Sequence, residues 1–153
     1  MFLGILKRFY YFISDIILSM NIKKNVFHSF SKHFELYLKS TDLNKFKKYK
    51  SVILIGMGGS VLGAKAIYSF CNSKIKKKFV FIDNLDQQKI KNIKKDIDLK
   101  NSLFIIISKS GNTFETLINI NLLKDKINSK NAIIIKDKKT NLLNTYANKK
   151  NLL

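Results

Sequence analysis

The sequence predicts an α/β domain in which a parallel sheet carries helices on both faces, a three-layer αβα sandwich. Three observations lead there. Four short apolar runs, Val52–Ile55, Phe79–Ile82, Leu103–Ile107 and Ala132–Ile135, recur between segments of helical periodicity. None of the runs alternates apolar with polar residues, which is the pattern of strands buried on both faces. The first and third runs each break into a glycine-bearing turn with hydroxyl side chains, directly before a helix-like segment.

Taken in order, residues 1–19 are apolar but cut by Lys7, Arg8 and Asp15, so they lack the uninterrupted span of about 18 apolar residues that crosses a membrane. Asp15 also interrupts the Phe9–Leu18 block that a signal peptide would require. Met20 opens a second plausible start, Met-Asn-Ile-Lys-Lys, and residues 1–19 are read as a mis-called upstream extension. Sequencing the amino terminus of the native protein decides this. An amphipathic helix lying on a membrane surface is the alternative. From Asn25 to Leu38, apolar residues at Val26, Phe27, Phe30, Phe34, Tyr37 and Leu38 fall on one helical face. His28 and His33 lie in this segment with no carboxylate at a spacing that completes a metal site. Residues 1–45 are therefore a helical lead-in and residues 46–153 the α/β domain. The polar stretch Lys39–Lys50 connects them and holds at most a short helical turn.

Helices are expected from about Ser60 to Cys71, from the Asp83–Asp86 turn to about Lys95, from about Thr113 to Ile127, and from about Asn141 to Lys149. Four strands joined by right-handed helical crossovers are expected in the order 2-1-3-4. Strands 1 and 3 are then neighbours whose connections leave in opposite directions, and the crevice beyond their carboxyl ends is where such sheets bind ligands.

Composition narrows the classes. A chain of 153 residues with 46% apolar content can bury a real core. Its single cysteine, Cys71, excludes an internal disulfide and a thiolate cluster, suits a reducing cytoplasm, and is read as a small buried hydrophobe. The formal net charge of +19 invites a nucleic-acid reading. Arg8 is the single arginine, proline is absent, and lysines are spread along the whole chain. That skew resembles coding bias filling solvated positions, so no nucleic-acid partner is assigned; the overall field would still attract a small anion.

The chemistry lies in two turns. In the first, Gly56, Gly58 and Gly59 precede Ser60, so a ligand can approach the backbone closely and meet the unpaired N–H groups of a helix start. In the second, Ser108, Lys109, Ser110, Gly111 and Thr113 supply hydroxyl donors and a cation suited to phosphate oxygens. Together they point to one phosphorylated ligand held from both sides. A nucleoside-triphosphate loop fits poorly, because Ala64 stands where lysine is required after Gly63. A dinucleotide fingerprint fits poorly too, because Val61 stands where its third glycine belongs, although Asp83 could imitate the ribose-binding acid. Glu115 sits three residues after Asn112, a capping-box spacing, and is expected to bond back to the helix start.

Gly56-Met-Gly-Gly-Ser60-Val-Leu-Gly63 and Ser108-Lys-Ser-Gly-Asn-Thr-Phe-Glu-Thr116 together resemble the sugar isomerase (SIS) domain family. More narrowly they resemble the first such domain of the glucose-6-phosphate isomerase family, and Asn84-Leu-Asp86 is similar to a third segment of it. The resemblance runs from about Ser51 to the end. It implies a flavodoxin-like sheet, a cytoplasmic enzyme interconverting glucose 6-phosphate and fructose 6-phosphate in glycolysis and gluconeogenesis, a homodimer, and no metal or other cofactor. It places the substrate phosphate at Gly58, Gly59, Ser60, Ser108, Lys109, Ser110 and Thr113. It gives Glu115 an auxiliary role, orienting a histidine used in ring opening. The family's proton-transferring base, that histidine and its catalytic lysine and arginine have no counterpart in this sequence. The resemblance therefore implies the amino-terminal, phosphate-holding part of such an isomerase, inactive alone. The alternatives are a free-standing domain that binds a sugar phosphate without catalysis, and a small isomerase that uses Glu115 with a partner subunit's residues.

Overall fold

A computed structural model describes residues 44–137 and 140–151. The expectations for the helical lead-in, His28, His33 and residues 1–19 lie outside the described residues. The elements are β1 (Ser51–Ile55), α1 (Gly59–Cys71), β2 (Lys78–Ile82), α2 (Gln87–Asp96), β3 (Ser102–Ser108), α3 (Phe114–Leu122), β4 (Ala132–Lys136) and α4 (Leu142–Lys149). Short 3-10 turns at Asn44–Phe46, Asn72–Lys74 and Leu99–Asn101 punctuate the connections.

The strands form one sheet in the order β2-β1-β3-β4, every pair parallel, as the alternating pattern required. β1 lies between β2 and β3, with Ile55 opposite both Ile82 and Ile106. One face of the sheet, including Ile53, Ile55, Ile82, Phe104 and Ile106, packs against Ile90, Ile93 and Ile97 of the α2 region, Ile120 and Leu123 of the α3 region, and Leu143 of α4. Because side chains alternate across a strand, Phe79 and Phe81 point to the other face, and there Tyr68 of α1 meets their rings at 5.0 and 5.5 Å between centroids. A layer of helix thus covers each side, and Cys71 is buried.

Local chemistry sets the ends of these elements. Asp86 accepts from the Lys89 N–H at 2.9 Å and starts α2. Asn141 accepts from the Asn144 N–H at 2.9 Å and starts α4. α3 stops at Leu122, short of the expected Ile127, although Leu123 and Ile127 continue the apolar period into the core. Buried Asn131 explains the early stop: its side chain donates to the Lys126 carbonyl at 2.9 Å and accepts from the Asn128 N–H at 2.8 Å. The side chain thereby holds a turn in place of the helical ladder.

Gly56 is set by crowding. A Cβ there would lie 2.7 Å from the Ile107 carbonyl oxygen of the neighbouring strand. Gly56→Ala must therefore push β1 and β3 apart at their exit, and a loss of about 1–3 kcal/mol of unfolding free energy is expected from urea titration. A Gly63→Ala control, at a position where a Cβ meets nothing within 4 Å, should be neutral or slightly stabilising.

Candidate functional site

Parallel pairing of β1 with β3 brings the two turns singled out above to one edge of the sheet. Gly58 adopts φ +51°, in the left-handed region that favours glycine, and bends the chain into α1. The Ser60 N–H donates to Met57 O at 3.1 Å and the Val61 N–H to Gly58 O at 3.0 Å, a tight first turn that leaves the Ser60 side chain half-exposed at the helix start.

The second turn is stitched by its own hydroxyls. Ser108 Oγ accepts from the Gly111 N–H at 3.1 Å and lies 3.2 Å from Thr113 Oγ1. Ser110 Oγ accepts from the Asn112 N–H at 3.2 Å and lies 3.4 Å from the same Thr113 oxygen. Ser108 is buried, whereas Lys109 and Ser110 are exposed. Ser108 therefore shapes the turn from beneath while its neighbours face outward.

The chain after β4 fastens this turn from outside. The Asp137 N–H donates to Lys109 O at 3.2 Å, the Leu143 N–H to Gly111 O at 3.0 Å, and the Leu142 N–H to Asn112 Oδ1 at 2.9 Å. Gly111, at φ +66°, packs against the Asn141 side chain so closely that a Cβ would fall inside it.

These bonds correct one expectation. Asn112 does not cap α3; Thr113 occupies the N-cap position without a side-chain cap bond. The Asn112 amide is committed to α4, and the Thr113 hydroxyl to Ser108 and Ser110. Glu115 is exposed in the first turn of α3, where the helix dipole favours its charge.

A cleft of about 480 Å³ opens at this edge, lined by Ser60, Lys109, Ser110, Asn112, Thr113, Asp137 and Thr140. An adjoining hollow of about 810 Å³ shares Ser60, Lys109 and Asp137 and adds Gly59, Ile107, Ile135 and Lys136. The structure thus brings together Gly59, Ser60, Lys109, Ser110 and Thr113, predicted from sequence. It sets Ser108 below the cleft and leaves Glu115 and Gly58 off its lining. Sequence reasoning missed Asn112 as a lining residue, and Asp137 and Thr140 altogether. The available signal was their position just past the carboxyl end of the strand next to β3.

Neither helix that starts at the cleft has a side-chain cap: α1 begins at Gly58 and α3 at Thr113. The two flanking helices are both capped, α2 by Asp86 and α4 by Asn141. The cleft therefore receives two positive dipole ends, together with Lys109 and hydroxyl donors.

A profile of the phosphoglucose isomerase family matches residues 14–151. The chain belongs to the phosphoglucose isomerase family. It is 47% identical over 94 residues to a glucose-6-phosphate isomerase of Methanocaldococcus jannaschii, covering 60% of this chain and 23% of that protein. It is 44% identical over 89 residues to a glucose-6-phosphate isomerase of Borrelia garinii subsp. bavariensis, covering 54% of this chain and 17% of that one. The crystal structure of a glucose-6-phosphate isomerase from Chlamydia trachomatis superimposes with a TM-score of 0.58 at 26% identity, covering 65% of this chain and 21% of that one. The matched region spans about a quarter or less of the curated relatives' length. No helix among the described residues is long and apolar enough to cross a membrane.

Asp83, raised above as a mimic of a ribose-binding acid, is engaged otherwise. It forms an ion pair with Lys65 of α1 and a second with Lys89 of α2 at 3.3 Å. The Lys65 bond, helped by Lys89 and opposed by partial burial, holds its carboxyl below the usual carboxylate range. A depressed folded-state pKa stabilises the fold above the unfolded pKa of about 3.9, and the contribution disappears as pH falls through the lower folded value. Urea midpoints of the parent and Asp83→Asn chains should therefore differ at neutral pH, by on the order of 1 kcal/mol or less. The two should converge in acid; a gap that widens in acid contradicts the pairing.

Proposed function

We propose that this chain is the amino-terminal, phosphate-holding part of a glucose-6-phosphate isomerase acting in glycolysis and gluconeogenesis. The observation that carries the reading is the pairing of two helix starts without side-chain caps on one cleft, beside Lys109 and the outward hydroxyls of Ser60, Ser110 and Thr113. Such a set suits a phosphate dianion through charge-assisted hydrogen bonds and asks for no metal. The cleft volume lies within the usual range for small-molecule sites, about 300–1,000 Å³. Family membership supplies the sugar phosphate as the ligand class.

In this reading the cradle holds the phosphate end of glucose 6-phosphate or fructose 6-phosphate and orients the carbons that react. Aldose–ketose exchange moves a proton between C2 and C1 through an enediol and needs a base over those carbons. Residues at the phosphate end contribute by fixing distance and direction, which lowers the entropic part of the barrier. Ser60, Lys109, Ser110 and Thr113 contact the phosphate, Gly58 and Gly59 let it approach the backbone, and Ser108 holds the turn in shape. Glu115, outside the lining, serves as an auxiliary group that orients a histidine of the complete isomerase. The working enzyme is placed in the cytoplasm as a homodimer whose subunits share the site. A second reading is kept on the same cleft: a free-standing domain that binds a sugar phosphate without turning it over.

The 153-residue chain is expected to bind fructose 6-phosphate weakly and to show no measurable isomerase turnover. Robust turnover by the chain alone would refute the partial-enzyme reading. Ser110→Ala combined with Thr113→Ala should weaken phosphosugar binding by about 1–3 kcal/mol, measured by calorimetry. Unchanged affinity in the double variant would exclude the cradle as the site.

A further inference from the structure

The turn after β2, Asp83–Asp86, lines neither of the hollows at the cleft, yet α1, α2 and α3 all hold it. α1 grips it through Lys65 on Asp83. α2 grips it through Lys89 on Asp83 and through the Asp86 cap. α3 grips it through Asn119, whose amide donates to the Asn84 carbonyl at 3.0 Å. The two helices whose open N-termini meet at the cleft are therefore fastened to one four-residue turn.

Asn119 is the unusual member. It is fully buried, on the helix face that also carries Ile120 and Leu123 into the core. Its Oδ1 has no hydrogen-bond partner, nor has Thr116 Oγ1 one turn earlier on the same face. An amide buried with its acceptor unpaired costs folding free energy, so one bond to a backbone carbonyl yields little net stability. An apolar side chain of similar size would serve the core as well or better. What the amide supplies that an apolar group lacks is a directed link from α3 to the turn that α1 also holds.

We propose that Asn119 is a positioning residue: through Asn84 it sets where the α3 N-terminus stands relative to the α1 N-terminus, and so tunes the affinity of the cleft for a dianion. This rests on the phosphate-binding reading above. It makes binding and stability separable at one site, because the link orients the cradle without holding the fold together.

The test uses the full chain at fixed ionic strength, with inorganic phosphate as the probe, and records urea midpoints alongside. Asn119→Leu should weaken phosphate binding about fivefold or more while leaving the midpoint unchanged or raising it. Phosphate affinity within about twofold of the parent, in a folded Asn119→Leu chain, overturns the proposal. Asn119→Asp gives an independent reading should the leucine variant fail to fold. Its carboxylate cannot donate to Asn84 O, but its protonated form can. Inorganic sulfate keeps its charge between about pH 5 and 8 and serves as the dianion there. Relative to the parent, sulfate binding should be weakened at the alkaline end and recover toward the acid end. A pH profile parallel to the parent's overturns the proposal. If the parent binds neither phosphate nor fructose 6-phosphate, it is the phosphate-binding reading itself that fails.

Discussion

The site depends on the side-by-side parallel pairing of β1 and β3. Ile55 lies opposite Ile106, so the residues that follow each strand emerge at the same edge and at nearly the same height. A parallel ladder gives adjacent strands a common direction, and their helices leave from a common rim. At the exit the two backbones are so close that Gly56 has no room for a side chain against Ile107. The same closeness places Ser60 and the Lys109–Thr113 turn on one cleft.

Capping then separates the two central helices from the two outer ones. Asp86 and Asn141 satisfy the first N–H groups of α2 and α4 with side-chain oxygens. At α3 the Thr113 hydroxyl is drawn into the Ser108–Ser110 network, and at α1 the N-cap is Gly58. An anion can take the place of the missing caps, because partial positive charge and hydrogen-bond donors coincide at a helix start. The acid nearest this rim at the end of β2, Asp83, is occupied by Lys65 and Lys89.

Much of this was legible in the chain. Four apolar runs, each long enough for a strand and separated by helical periodicity, require a parallel sheet covered on both faces, and the order followed from the right-handed crossover rule. Both phosphate turns were visible because glycine and hydroxyl residues clustered where apolar runs ended. The capping box at Asn112 and Glu115 misled, since spacing along a helix does not reveal a stronger competitor from elsewhere in the chain. That competitor is the Leu142 N–H, 30 residues away. The length of α3 misled for a related reason: Ile127 keeps the apolar period although Asn131 has already turned the backbone.

The sequence alone thus determined the strands, their order, the edge at which the turns meet and the membership of the cradle, because periodicity and turn chemistry act over a few residues. Tertiary structure decided which polar side chains are spent. Ser108 and Thr113 bond within the turn, Asn112 turns to α4, Asp83 joins two lysines, and Asn119 reaches Asn84 from inside the core. A hydrogen bond forms only where donor and acceptor meet at about 3 Å with suitable angles. For groups tens of residues apart, that meeting is set by how helices pack on the sheet.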